Sequence, residues 1–226
     1  MIDLQTHDNV FVLRMQNGEN RFNSDSLDAI NAALDRVEQS DQPSALVTTG
    51  DGKFYSNGLD LDWMAQAGTE QASENVQRVH DLLARVLTFP TITVAAINGH
   101  AFAAGAMLVL AHDFRVMRSD RGYFCLPEVD IQIPFTPTME ALIVSRLPKM
   151  TAHEAMVTGK RYDAQLAVQR GIADQAESEQ DVLPKAIELA KSLAGKHRPT
   201  LSKIKSQMYA QVLARAAESR AKPPWA

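Results

Sequence analysis

The segment Ala103–Ala111 is apolar almost all the way round a helical turn. A helix without a polar face has to be buried on every side. The surrounding apolar stretch, Ala101–Ala111, is 11 residues long, too short to cross a bilayer. It must therefore be enclosed by protein. Just upstream, Thr91–Ile97 (TITVAAI) is a β-branched, apolar run closed by Asn98-Gly99, which reads as a buried strand. A buried strand feeding a buried helix needs a layer on each side, and that is α/β packing.

The rest of the chain extends this pattern. Val10–Met15, Ala45–Thr49, Phe114–Met117 and Tyr123–Leu126 read as further short strands. Apolar residues at helical spacing predict helices over Asn23–Gln39, Leu61–Ala67, Asn75–Leu87, Met139–Arg146, Ala152–Thr158 and Ala164–Arg170. Two longer ones are predicted over Leu183–Lys196 and Thr200–Ser219. Strands alternate with helices for about two thirds of the chain, and helices alone fill the remainder. The expected organisation is an α/β core over 1–185 and a helical region over 186–226.

Composition excludes several classes. The chain has 226 residues, a net charge of −4 and a single cysteine, Cys125. An internal disulfide and a cysteine zinc cluster are ruled out, and Cys125, between Phe124 and Leu126, reads as a packed thiol. The acidic balance does not favour nucleic acid. Met1–Gly18 lacks the basic start and apolar core of a signal peptide. The terminal Pro-Pro-Trp-Ala is not a peroxisomal address of the Ser-Lys-Leu type. The expectation is a cytoplasmic protein with no membrane, nucleic-acid or metal partner.

Three segments hold candidate chemistry. In Phe54-Tyr55-Ser56-Asn57-Gly58-Leu59-Asp60-Leu61, Gly58 permits a bend that could leave the Leu59 N–H facing a cleft; an ordinary strand-to-helix loop is the other reading. In Asn98-Gly99-His100-Ala101-Phe102-Ala103-Ala104-Gly105-Ala106-Met107, small residues lead into a helix whose first N–H groups lack internal partners. That arrangement suits an oxyanion hole, but tight helix–sheet packing wants the same residues. In Leu126-Pro127-Glu128-Val129-Asp130-Ile131-Gln132-Ile133-Pro134, a carboxylate set in an apolar wall would have a raised pKa, as a general acid/base needs; a solvated loop carboxylate is the alternative. Glu128 and Asp130 would share a face in an extended segment and diverge in a helical one.

Together these segments resemble the crotonase (enoyl-CoA hydratase/isomerase) superfamily. Ser-Asn-Gly-Leu-Asp-Leu is similar to its Phe-Ser-x-Gly-x-Asp-Leu block. Asn98–Gly105 is similar to its Asn-Gly-x-Ala-x-Gly-Gly-Gly block, with Ala103 and Ala104 at two glycine positions. Pro127-Glu128-Val129, His112–Val116 and the turn Asn20-Arg21-Phe22-Asn23 also match in order, so the likeness runs from about residue 8 to 205.

The resemblance implies a ClpP/crotonase-like fold of repeated ββα units with a helical C-terminal region. It implies oxyanion donors at the Leu59 and Ala104 N–H groups and an acid/base at Glu128. Substrate contacts are expected from Arg21, Lys53, Ser56, Asn57, Gly58, Asp60, Leu61 and Met107, with Asp60 also placed to cap the following helix. Basic residues Lys196, Arg198, Lys203 and Lys205 are either further phosphate candidates or simply a solvated helix face. Family hydratases carry a second glutamate where this chain has Met107, so the pattern is that of a Δ3,Δ2-enoyl-CoA isomerase. Other crotonase-type activities (hydratase, thioesterase, decarboxylase) and a non-catalytic acyl-CoA binder are the alternatives. Coenzyme A enters only as part of the thioester substrate, with no separate cofactor, and a homotrimer or hexamer is expected. Glu140 is the reserve acid, and His100 and His112 are expected to be structural.

Overall fold

The computed structural model describes residues 1–42 and 44–220; the terminal Pro-Pro-Trp-Ala lies outside them. Strands β1 (Ile2–His7) and β2 (Val10–Met15) form an antiparallel hairpin. Helix α1 (Ser24–Glu38) follows, capped by a reciprocal pair: the Asn23 side chain accepts from the Ser26 N–H, and the Ser26 hydroxyl accepts from the Asn23 N–H. Next come β3 (Ala45–Gly50), β4 (Phe54–Ser56), α2 (Leu61–Ala67) and α3 (Thr69–Leu87). The order continues with β5 (Ile92–Ile97), β6 (His100–Phe102), α4 (Ala104–Ala111), β7 (Phe114–Arg118), β8 (Phe124–Cys125) and α5 (Pro137–Arg146). The chain ends with α6 (Lys149–Thr158), α7 (Ala164–Gln169), β9 (Gln175–Glu177), α8 (Val182–Leu193), α9 (Arg198–Met208) and α10 (Ala210–Ser219).

The strands sort by their place in each repeat. β3, β5 and β7 lie side by side in a six-stranded sheet of order β1-β2-β3-β5-β7-β9, parallel apart from the β1–β2 hairpin. Their successors β4, β6 and β8 lie side by side in a second, parallel sheet. Each unit is therefore a strand, a sharp turn onto the other sheet, and a helix. This is the repeated ββα arrangement implied by the sequence.

Both faces of the large sheet are covered. Val10, Val12, Val47, Val94 and Val116 face Val182, Ala186 and Ala190 of α8. The opposite face, with Leu13, Met15, Leu46 and Ile97, joins the main core under α1, α3 and α4. The alternation within β2 is the period-2 rule of a pleated strand. Every residue of α4 is buried, as its all-round apolarity requires. Gly105 brings α4 against β4, for a Cβ there would lie 2.4 Å from the Ser56 carbonyl oxygen.

Three expectations are corrected. The boundary at 185/186 falls inside α8, and α8 packs on the large sheet, so it belongs to the core. The predicted Thr200–Ser219 helix is two helices that break at Tyr209 (φ −109°, ψ 24°). Arg146 holds Tyr209 there, donating to its hydroxyl and lying over its ring. Helix α10 packs on α3 and α5 of its own chain. Helix α9 is pinned by Lys205, whose buried Nζ donates to Phe89 O (3.0 Å), Thr91 O (2.9 Å) and Asp113 Oδ2 (2.7 Å). Lys205 is thus consumed by the core and is not a phosphate ligand. Arg198 likewise donates to the Ser40 and Glu38 carbonyls at the end of α1.

Candidate active site

The first wall of the cleft is the turn between β4 and α2. Ser56 is fully buried, donating from Oγ to Asn20 O (2.7 Å) and accepting from the Gly58 N–H (3.2 Å). The Asn20 side chain in turn donates to the carbonyls of Phe54 and Tyr55. Phe22 clamps the far side: its N–H donates to Gly58 O (2.7 Å), and its carbonyl accepts from the Asp60 N–H (3.1 Å). Between these bonds sits Leu59, whose N–H has no acceptor among the described residues. Gly58 takes φ +82°, the left-handed region that favours glycine.

The second wall is the start of α4. Ala103 donates to Cys125 O (3.1 Å) and adopts φ 49°, ψ −126°, a region costly for a residue with a Cβ. Ala104 then opens the helix. Its N–H belongs to the first turn, which has no intrahelical acceptor, and none is supplied by another described residue. A Cβ built on Gly58 would lie 2.9 Å from Ala104 N. The turn carrying one free amide is therefore in contact with the other.

The third element is the turn Glu128–Gln132 after β8. Ile131 N donates to Pro127 O (3.0 Å) and Ile133 N to Glu128 O (3.0 Å), with Gln132 at φ 59° closing the loop. The turn drives the Glu128 side chain inward and leaves Val129 and Asp130 outside. Glu128 is 5% exposed, and its Oε2 has no hydrogen-bond partner among the described residues. Burial pushes its carboxyl up to about 7, because an apolar site disfavours the charged form.

Leu59, Ala104 and Glu128 line one cavity of about 390 Å³. Its apolar wall is formed by Leu61, Phe102, Ile131, Ile133 and Met139. A second carboxylate, Asp62, stands at the edge, but it is exposed and paired with Arg21 at 2.6 Å. Glu128 is thus the carboxyl held away from water. Two unpaired main-chain donors on residues that line the same cavity as a proton-accepting group can stabilise an enolate and move protons around it if they point into it.

Residues 5–222 match the model of a family described as enoyl-CoA hydratase/isomerase. The chain belongs to that family. Enoyl-CoA delta isomerase 3 of Arabidopsis thaliana is 37% identical over 204 residues, covering 87% of this chain and 86% of the relative. The peroxisomal enoyl-CoA delta isomerase 2 of the same plant is 36% identical, with coverages of 87% and 86%. Among solved structures, an enoyl-CoA hydratase/isomerase family protein from Pseudomonas syringae superposes with a TM-score of 0.89 at 26% identity, covering 98% of this chain and 97% of that one. Human mitochondrial delta3-delta2-enoyl-CoA isomerase shares the fold, with a TM-score of 0.85 at 21% identity and coverages of 96% and 91%.

Within this family member, several expected substrate contacts lie elsewhere. Arg21, Asn57 and Leu61 do line the cleft, but Arg21 is already committed to Glu19, Asp60 and Asp62. Ser56 and Met107 are wholly buried and do not line it, so Ser56 is a scaffold for the turn and Met107 a core residue. Gly58 supports the amides through its backbone. Asp60 caps α2 by accepting from Trp63 N, and also accepts from the Asn23 side chain. Lys53 lies outside the cleft with its Nζ over the Phe54 ring. Glu140 is exposed at the start of α5 and is no reserve acid for the cleft.

His112 and Cys125 follow the structural reading, whereas the buried Nδ1 of His100 has no hydrogen-bond partner among the described residues. His112 is buried, donating from Nδ1 to Leu108 O (2.7 Å) and accepting at Nε2 from the Thr48 hydroxyl (2.9 Å). Burial lowers its pKa to about 3. Cys125 donates to Gly159 O (3.1 Å), and burial raises its thiol to about 11. Cleft residues that sequence reasoning missed are Phe102, Ile131, Ile133, Met139 and Arg161. The alternation of Glu128, Asp130 and Gln132 with apolar residues was the one available hint for two of them.

Proposed function

We propose that the chain is an enoyl-CoA isomerase that moves the double bond of a 3-enoyl-CoA to the 2-position. The thioester oxygen is held between the Leu59 and Ala104 N–H groups. Glu128, as its carboxylate, takes a proton from C2, and the electrons pass into a dienolate whose oxygen carries the charge. The same carboxyl group returns the proton at C4, leaving the double bond between C2 and C3. Donors aimed at a developing oxyanion typically contribute about 3 kcal/mol each to the transition state.

The observation that carries this reading is that Glu128 is the single buried carboxyl among the described residues. A 1,3-proton shift needs one group that both accepts and donates, and a group with a pKa of about 7 does both at neutral pH. Hydration needs a second group to activate water. The hydratase position for that group is Met107, which is fully buried, and Asp62 is exposed and neutralised by Arg21. The names of the Arabidopsis relatives support the same reading.

The test is product analysis of purified protein supplied with 3-enoyl-CoA thioesters of several chain lengths. The expected product is the 2-enoyl thioester with little 3-hydroxyacyl product. Hydration as fast as isomerisation, or no conversion at any chain length, would overturn the proposal.

A further inference from the structure

Of the residues lining the cleft, Ala104, Glu128 and Met139 are buried. Ala104 supplies an amide and Glu128 the carboxyl. Met139 is therefore the long apolar side chain at the closed inner end. Leu61 and Ile131, also in the lining, are exposed at the mouth. In the proposed reaction C4 of the thioester stands beside Glu128, and the rest of the acyl chain meets apolar lining from there. A chain that grows inward runs against Met139.

Met139 is held from outside the cleft. It lies in the first turn of α5, capped by Thr136, whose hydroxyl accepts from the Met139 N–H (3.4 Å). The same hydroxyl lies 2.8 Å from Nε2 of His80, which is fully buried on α3. His80 Nδ1 lies 3.2 Å from Ser219 Oγ at the end of α10, and that oxygen lies 2.7 Å from Gln77 Oε1. One assignment gives every proton an acceptor: Thr136 donates to Nε2, Nδ1–H donates to Ser219, and Ser219 donates to Gln77. It needs a neutral ring, and burial lowers the His80 pKa to about 4. None of these four residues lines the cleft. A threonine caps a helix without help from an imidazole, and a buried ring costs free energy unless its nitrogens are bonded. Bonded at both, this ring fixes the cap in one orientation and ties it to α10.

We propose that His80 is a positioning residue for substrate selection: through Thr136 it fixes Met139 as the end wall for the acyl chain, and so limits the chain length accepted. Methionine is unbranched and adapts its shape easily, so as an end wall it needs a rigid base. The relay from Ser219 through His80 to Thr136 supplies that base. The inference rests on the acyl-CoA reading above and names the feature of the substrate that this chain selects.

The test is calorimetric binding of saturated acyl-CoA thioesters of increasing chain length, which bind without reacting. In wild type, affinity is expected to rise by up to about fourfold per methylene to a limiting length and to fall beyond it. Met139→Ala removes Cγ, Sδ and Cε and should extend that limit by about as many methylenes. His80→Phe and Thr136→Val break the relay while nearly keeping side-chain shape. Each should blunt the limit, so that chains just beyond it bind about tenfold more tightly than in wild type, the scale of one hydrogen bond. Thr136→Ser keeps the hydroxyl and should keep the wild-type profile. If neither relay variant folds, Ser219→Ala at the half-buried end of the relay is read in the same way. A profile unchanged by Met139→Ala would send the chain out by the mouth between Leu61 and Ile131 and overturn the proposal. An unchanged profile in the folded relay variants would overturn it too, as would a Thr136→Ser profile matching that of Thr136→Val. Binding is read without turnover, so an inactive wild type that still shows the length limit contradicts the reaction and leaves the positioning role standing.

Discussion

Gly58 touches the main-chain nitrogen of Ala104: a methyl group at position 58 would lie 2.9 Å from it and 3.0 Å from the Ala103 Cβ. The spacing between the two free amides therefore depends on the absence of a side chain at 58. Gly58→Ala must both strain a φ of +82° and push α4 away from the turn. Misplacement of about 1 Å can cost about a hundredfold in rate. The variant is expected to lose about that much kcat on 3-enoyl-CoA while keeping its circular dichroism spectrum. Near-normal turnover in a folded variant would show that the amides need no such contact.

Ala103 and Ala104 are adjacent yet should respond in opposite ways to glycine. Ala103 sits at φ 49°, ψ −126°, a conformation costing about 1–3 kcal/mol for a residue with a Cβ. Ala104 is helical and 2% exposed. Ala103→Gly should raise unfolding stability by about 1 kcal/mol after the extra chain entropy of glycine is subtracted. Ala104→Gly should lower it by about 1 kcal/mol through lost burial and helix propensity. Urea midpoints measure both; a destabilised Ala103→Gly would contradict the strained backbone.

The Glu128 carboxyl titrates near 7 in place of its ordinary 4.5, and this has two consequences of opposite sign. Proton abstraction needs the carboxylate, so kcat/KM should rise with pH and level off above an apparent pKa of about 7. Stability should move the other way. Between pH 4.5 and 7 the folded protein holds a proton at Glu128 that the unfolded chain has released. The contribution is therefore present below 4.5 and lost as pH rises through 7, by about 3 kcal/mol at most. Glu128→Gln removes the titration, so its stability should fall less than that of wild type from pH 5 to pH 8. Parallel pH dependences in the two proteins would place the carboxyl in solvent.

Lys205 and Lys203 belong to one basic run but sit in different environments. Lys205 is 4% exposed and bonded to Asp113 and two carbonyls, whereas Lys203 is exposed. Lys205→Ala strands a partly buried carboxylate and two acceptors and should cost about 3–5 kcal/mol. Lys203→Ala should stay within about 0.5 kcal/mol. Thermal or urea unfolding of the pair decides it.

Sequence reading reached what depends on local periodicity. The helix at Leu61–Ala67 has the expected bounds, and α4 begins one residue after the predicted start. It missed β4, β6 and β9, strands of three residues whose existence depends on partners far along the chain. It missed β1 as well, a mixed polar and apolar edge strand. The helix break at Tyr209 coincides with that residue's contact to Arg146, 63 residues away, a pairing that local sequence does not encode. For the site, Leu59, Ala104 and Glu128 were legible as motif positions. That Ser56 and Met107 turn inward was not, since a small polar residue beside a glycine and a methionine in an apolar helix look the same whether they face a cleft or the core. Arg21 was legible as a basic residue, but its three acidic partners come together only in the folded chain.

The proposed reaction depends most on one carboxyl group moving the proton. The decisive measurement is the rate of conversion of 3-enoyl-CoA to 2-enoyl-CoA by Glu128→Gln, compared with wild type at pH 8 and with coenzyme A affinity measured on the same samples. Loss of the group doing general acid–base work should lower kcat by about 10²–10⁴ with affinity nearly unchanged. Isomerisation within a few fold of wild type would contradict the assignment of proton transfer to Glu128 outright.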